Sequence, residues 1–193
     1  NFPGLISKVS ADMLFGENMK VVAGEPDSKE QELIKRIIKN NSLRTLNYEM
    51  ALSGSWRGEV IYKLRFGQLK GQEQVIIEAV SPSYFWPILD PDNVRGLQGG
   101  VFGWIKDAHS GVAGYKGRKF LRIERHEPGR IYNELWLLEE DGRSLEQRVK
   151  LNVFPEYKEM LEMQETGYPG LLFKHVPNWR LEDEFWGISE YCD

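Results

Sequence analysis

Residues 43–80 read LRTLNYEMALSGSWRGEVIYKLRFGQLKGQEQVIIEAV, and the spacing of apolar side chains changes inside this stretch. Before Gly58 the residues Leu43, Leu46, Met50 and Trp56 recur at helical steps, so they are expected to face inward on a helix that the glycine stops. After it, Val60, Tyr62, Leu64 and Phe66 alternate with Ile61, Lys63 and Arg65, which is strand spacing. The Gly67 to Gly71 segment turns the chain into a second strand from Gln74 to Val80, giving a hairpin. A switch of period at residue 58 predicts an α+β chain. An N-terminal helical segment occupies 1–58, and a β-rich region, largely an antiparallel sheet and meander, occupies 59–193.

Upstream of the switch, Leu5, Ile6, Val9, Met13 and Leu14 fall on one side of a helix that Gly16 stops. Pro26-Asp27-Ser28 opens a second helix, with Ser28 as cap, Gln31 completing a capping box, and Leu33, Ile34, Ile37 and Ile38 as its buried stripe. Asn40-Asn41-Ser42 breaks that helix and caps the third. Downstream, Pro82, Pro87 and Pro91 are too many for a central strand, so Tyr84, Phe85, Trp86, Ile88 and Leu89 are expected to wrap the sheet as an apolar loop. A strand near Val101 to Lys106 follows, then an exposed, mobile connection from His109 to Gly117. Phe120, Leu121 and Ile123 mark the next strand, Glu127-Pro128-Gly129-Arg130 a type II turn, and Tyr132, Leu135, Leu137 and Leu138 the return strand. Asp141-Gly142 is a hairpin signal, after which Ser144 to Leu151 pairs back. Pro155 to Glu165 reads as a short helix and Gly170 to Val176 as a last buried strand.

A chain of 193 residues with 41% hydrophobic content is long enough for a packed core, and its 28% charged residues are well mixed rather than blocked. The lone cysteine, Cys192, has no intrachain partner, which favours a reducing compartment. No apolar run approaches the ~20 residues that span a bilayer, and residues 1–16 lack the basic flank of a signal peptide. A formal charge of -4 disfavours a surface built to grip phosphates. The start at Asn1 and the stop at Tyr191-Cys192-Asp193 are those expected of a trimmed chain.

Tests for chemistry nominate no catalytic, cofactor-binding or metal-ligating residue. His109, His126 and His175 have no partner at metal-binding spacing. Gly54-Ser55-Trp56-Arg57-Gly58 has its serine in the wrong place for a nucleophile elbow and runs from helix to strand. Gly114-Tyr115-Lys116-Gly117-Arg118-Lys119 lacks the Lys-Ser/Thr pair of a phosphate loop, and Asp90-Pro91-Asp92-Asn93 lacks the glycine and closing glutamate of a calcium loop. Glu182-Asp183-Glu184 beside Phe185 and Trp186 reads as a solvated acidic edge. Each of Trp56, Trp86, Trp104, Trp136, Trp179 and Trp186 is more often core than interface when taken singly, yet some of the six are expected at subunit contacts.

In their order, four segments carry a resemblance. They are LISKVSADMLFGENMKVV (5–22), QELIKRIIKNNSLRTLNYEMALSGSWRGEVIYKLRFG (31–67), VIIEAVSPSYFWPILDPDN (75–93) and LLFKHVPNWRLEDEFWGISEY (171–191). Together they resemble the N-terminal part of siphophage-type portal proteins of tailed bacteriophages, over nearly the whole chain. The positions that match are Phe15-Gly16, Pro82, Phe85, Pro87, Asp90 and Val176-Pro177-Asn178, with Gly187 to Tyr191 at the start of a long helix. The His109 to Lys119 loop and Trp179-Arg180-Leu181 match nothing in that pattern. The resemblance implies the wing region of a portal subunit, without the stem and clip helices. It further implies a dodecameric ring at the capsid vertex that docks the terminase large subunit, scaffold or major capsid protein and head-completion protein. Double-stranded DNA would pass through it without sequence-specific binding, no bond would be broken, no cofactor used and no membrane met. The expected location is the virion, with the host cytoplasm during assembly. Competing expectations are a carbohydrate-active enzyme, resting on the tryptophans and the acidic edge, and a stand-alone β-rich binding module, resting on the meander from Phe120 to Leu151.

Overall fold

The computed structural model describes residues 2–17, 20–69, 71–109 and 111–191. Cys192, Lys70 of the expected hairpin turn and Ser110 of the expected loop lie outside the described residues, as do Asn18 and Met19. Three helices come first: α1 (Phe2–Phe15), α2 (Lys29–Asn40) and α3 (Leu43–Arg57). Nine strands follow among the described residues: β1 (Glu59–Leu69), β2 (Gln72–Val80), β3 (Phe85–Asp90), β4 (Asn93–Asp107), β5 (Lys119–Glu127), β6 (Arg130–Leu138), β7 (Leu145–Val149), β8 (Met163–Glu165) and β9 (Phe173–Pro177). All pairings are antiparallel, in a sheet ordered β2-β1-β9 and a second ordered β3-β4-β5-β6-β7, with β8 also on β6. The class is α+β. Packing divides the chain into two compact units, one of residues 1–82 with 173–193 and one of residues 83–172. Hairpin β1-β2 belongs with the helices rather than with the meander, because β9 returns from the far end of the chain to pair with β1.

In the first unit α3 packs on β1 and β2. Tyr62 Oη donates to Asn47 Oδ1 of α3 at 3.1 Å, and Met50 is buried. On the other side of β1 the His175 ring of β9 stacks on Phe185 at 4.4 Å, and Glu59 Oε2 accepts from His175 Nε2 at 3.2 Å. Both faces at the start of β1 are therefore covered, which is why Val60 and Ile61 are both buried although they point in opposite directions. Phe66, farther along, is exposed. Gly58 ends α3 with φ 85°, its N–H donating to Gly54 O at 2.8 Å. A Cβ at Gly58 would also lie 2.5 Å from Gly187 O, so both the positive φ and the close approach demand glycine.

Two expectations about the helices need correction. Ser28 does cap α2, its Oγ accepting from Gln31 N at 3.2 Å, but the Gln31 side chain does not turn back to close a capping box. It binds the preceding strap instead, accepting from Ala23 N at 2.8 Å and donating to Val21 O at 3.1 Å, and becomes the buried residue of α2. The expected stripe is half-open, with Leu33 exposed and Ile34, Ile37 and Ile38 only partly covered. Ser42 gives α3 no side-chain cap, since it sits in the left-handed region at φ 48°. The amide of Asn41 has the structural role: it donates to Val75 O at 3.0 Å and accepts from Ile77 N at 2.8 Å, occupying the outer edge of β2 as a short strand would. At the other end of the chain, Gly187 to Tyr191 do not start a helix. Their backbone groups are used elsewhere, Ile188 N on Trp179 O at 2.6 Å and Glu190 N on Ser55 O at 2.8 Å.

In the second unit the core lies on one face of the sheet, where Phe120, Leu135 and Leu137 meet Val112, Leu151 and Phe154. Phe120 and Phe154 are edge-to-face at 5.1 Å. Residues 85–90 form an edge strand, not a wrapping loop. Proline is tolerated there because an edge strand has a side with no ladder partner, and Phe85 is buried against Phe102 at 5.1 Å. The connection at 109–117 is anchored rather than free, since Val112 is buried in the core and the Tyr115 ring meets Phe120 at 5.3 Å. Pro155 to Glu165 is not a helix. Its first residues make a 3-10 turn at Pro155–Tyr157, and its last join β6 as β8. Asn133 explains this, donating from its backbone N to Glu162 O and from Nδ2 to Leu161 O, each at 2.8 Å. The turns after Asp90, Pro128 and Asp141 are where the sequence puts them, Gly129 and Gly142 both with positive φ.

Candidate interaction surfaces

The histidines are placed by packing. His126 is buried beside Phe102 at 5.2 Å and Glu124 at 3.3 Å, and His175 is buried against Phe185 and Glu59 as described. His109 is exposed, its Nε2 3.2 Å from Glu156 Oε2, while its Nδ1 accepts from Gly111 N. Among the described residues no three His, Cys, Asp or Glu side chains converge as a metal site would require. Ser55 is buried in a polar knot that joins α1, α3 and the C-terminal segment. Its Oγ lies 2.9 Å from Ser7 Oγ and donates to Glu190 Oε2 at 2.5 Å, and Ser7 also bonds Tyr191. The Gly54–Gly58 motif thus serves packing. Glu182, Asp183 and Glu184 are all exposed on a turn, as a solvated edge would be.

Sequence reasoning overlooked the cationic border of the second unit's core. Arg122 is buried although it lies between Leu121 and Ile123 on β5; its Nη2 donates to Asn133 Oδ1 at 2.6 Å and its guanidinium lies 5.3 Å from the Tyr157 ring. Burial lowers its pKa, and the nearby Glu124 charge opposes that shift. Lys106 donates to Tyr157 Oη at 2.6 Å and to Glu156 Oε1 at 2.9 Å. Burial works against its charge, but these two bonds outweigh it and raise its pKa. Glu156 is held down at about 2 by a bond from its own backbone amide and by Lys106. The available signal was period: Lys106 stands opposite Phe120, and Arg122 is two residues from it, so both occupy the core face. The arrangement locks the 3-10 turn to the sheet and offers no activated nucleophile.

What the described surface shows instead is apolar side chains turned outward. Ser7, Ala11 and partly Ser10 form the inner face of α1 against α3, while Leu5, Val9, Met13 and Leu14 are 56%, 49%, 83% and 68% exposed. The expected apolar side of the helix exists, and it faces away from the protein. On the second sheet the side away from the core carries a row of Trp86, Val101, Arg125 and Tyr132 on adjacent strands. A second row holds Ile105, Leu121 and Trp136. Trp86 lies over Gly103, where a Cβ would be 3.1 Å from its ring, and Arg125 lies 4.3 Å over Tyr132. None of the six tryptophans is buried, against the slightly greater weight of a core position for each taken singly; Trp56, Trp86, Trp179 and Trp186 are exposed. Trp56 in particular faces out, its ring carrying Arg57 at 4.3 Å. No helix among the described residues is long and apolar enough to cross a membrane.

Compared with models of protein families and with curated proteins, the chain matches none.

Proposed function

We propose that this chain is the wing region of a tailed-phage portal subunit, a non-catalytic assembly element of a ring at the capsid vertex. The observation that carries it is the outward apolar face of α1. Large aliphatic side chains cost free energy in water, roughly 25 cal/mol for each Å² left exposed, and a contiguous row of them marks a surface meant to be covered. A closed ring needs two different surfaces on each subunit, and each unit of this chain carries an apolar one. The order of the sequence segments that resemble portal proteins and the α+β architecture support the same reading.

In this proposal the partners are neighbouring copies, the terminase large subunit, scaffold or major capsid protein and head-completion protein. Double-stranded DNA passes without being gripped, consistent with a formal charge of -4. The location is the virion vertex, reached from the host cytoplasm. A carbohydrate-active enzyme would need two facing carboxylates, whereas Glu182, Asp183 and Glu184 lie on an exposed turn. The test is electron microscopy and native mass measurement of the protein in its full natural length. Rings of uniform subunit number around a central channel are expected, and a protein that stays monomeric at micromolar concentration sinks the proposal.

A further inference from the structure

In the first unit, the strap preceding α2 and the outer side of that helix enclose a groove of about 640 Å³. Its apolar lining includes Val21, Val22 and Ile38, and its basic lining is Lys20, Lys35 and Lys39, with no carboxylate. All three lysines are exposed, and none has an acidic partner among the described residues. Lys35 and Lys39 are one helical turn apart, about 6 Å along the axis, so they present their charges on the same side. Gln31 ties the strap to the helix through Ala23 and Val21, which keeps the groove open as a built feature. An apolar floor rimmed by uncompensated positive charge fits a protein segment that alternates acidic and apolar side chains. It does not fit a nucleic-acid strand, because no aromatic side chain lines it to stack a base.

The chain itself contains such a segment. Residues 158–165 are all exposed, and within them Glu159, Glu162 and Glu165 alternate with Met160, Leu161 and Met163. Leu161 is 64% exposed and Met163 45%. Its backbone is held firmly, since Leu161 O and Glu162 O both accept from Asn133. Glu162 is spanned by Arg148 at 3.1 Å, but Glu159 and Glu165 have no basic partner among the described residues. We infer that the lysine-rimmed groove of one copy receives the Glu159–Glu165 run of the next copy. The inference rests on the ring proposal and names a contact within it. Groove and run are different surfaces of one chain, so the contact is heterologous and repeats from subunit to subunit around a ring. Opposite charges set its register and its rate of formation, while Leu161 and Met163 against Val22 and Ile38 supply the apolar burial.

The test is a charge exchange in the full-length protein, read as self-association by sedimentation and native mass measurement. Lys35→Glu with Lys39→Glu, or Glu159→Lys with Glu162→Lys, should each weaken association at least about tenfold. Thermal melting should stay near that of the parent, because all four side chains are exposed. Mixing or combining the two sets should restore association, and high salt should weaken the parent more than the exchanged pair of neutral variants Lys35→Gln and Glu159→Gln. Single-sided reversals that associate as the parent does overturn the contact, as does failure of the combined set to recover. A parent protein that never self-associates overturns the ring proposal beneath it, an outcome distinct from a ring that forms indifferently to these charges.

Discussion

Gly58 shows how one residue joins three parts of a unit. It ends α3 with a positive φ, accepts Asn178 N at 2.7 Å and leaves no room for a Cβ beside Gly187. Gly58→Ala should cost about 1–3 kcal/mol from backbone strain alone, seen as a lower Tm, with the packing conflict adding to it. Phe154→Ala should cost about 3–5 kcal/mol, because the ring is wholly buried in the second unit's core. Glu156 makes a pH prediction. Its folded pKa is below that of the unfolded chain, so its contribution is present above the ordinary carboxylate range near 4 and is lost as pH falls through about 2. The group is substantially exposed, which limits the effect to less than ~1 kcal/mol after screening. In Glu156→Gln, the fall in Tm between pH 4 and 2 should be shallower than in the parent. Of these residues, Gly58 was legible as a helix stop from its position alone, but the need for space beside Gly187 depends on a segment more than a hundred residues away. For Arg122 and Lys106 strand period marks the core face, but that a cation suits those positions depends on the return of Tyr157 over the sheet, which no local pattern records.

The helices and strands divide into those that local pattern determines and those that tertiary demands reshape. The meander from β4 to β7 follows alternation and turn chemistry, and its turns sit at Pro128-Gly129 and Asp141-Gly142. The segment after Phe154 mimics a helix, with apolar residues at Tyr157, Met160 and Leu161, yet Asn133 takes the backbone of Leu161 and Glu162 into the sheet. In α1 the pattern reveals an apolar side and says nothing of what covers it; small residues pack more closely on α3 and win the inner face. Val9→Glu with Met13→Lys should therefore change unfolding free energy by no more than about 0.5 kcal/mol while reducing self-association. Asn41 gives the opposite case. Asn41→Ala should destabilise by about 1–3 kcal/mol, because it strips partners from the edge of β2, and should promote concentration-dependent aggregation measured by light scattering.

For the chain as a whole, the class of fold follows from the change of period at Gly58, whereas the assignment of β1 and β2 to the helical unit does not. That assignment depends on β9, and strand order across a long insertion leaves no local trace in sequence. Residues 83–172 hold all the strands of the second sheet, so a chain ended at 172 should keep that segment protected from proteolysis while 1–82 is cut readily. Synthesis imposes the same condition in time. When Pro82 leaves the ribosome, the hairpin β1-β2 has no third strand and Ile61 has no cover on the His175 side. About 90 further residues must be added before Phe173 arrives, roughly 5–20 s at ordinary elongation rates. By the time Phe173 is added every strand of the second sheet has been made, so the later unit has what it needs to fold while the earlier one still waits for its third strand.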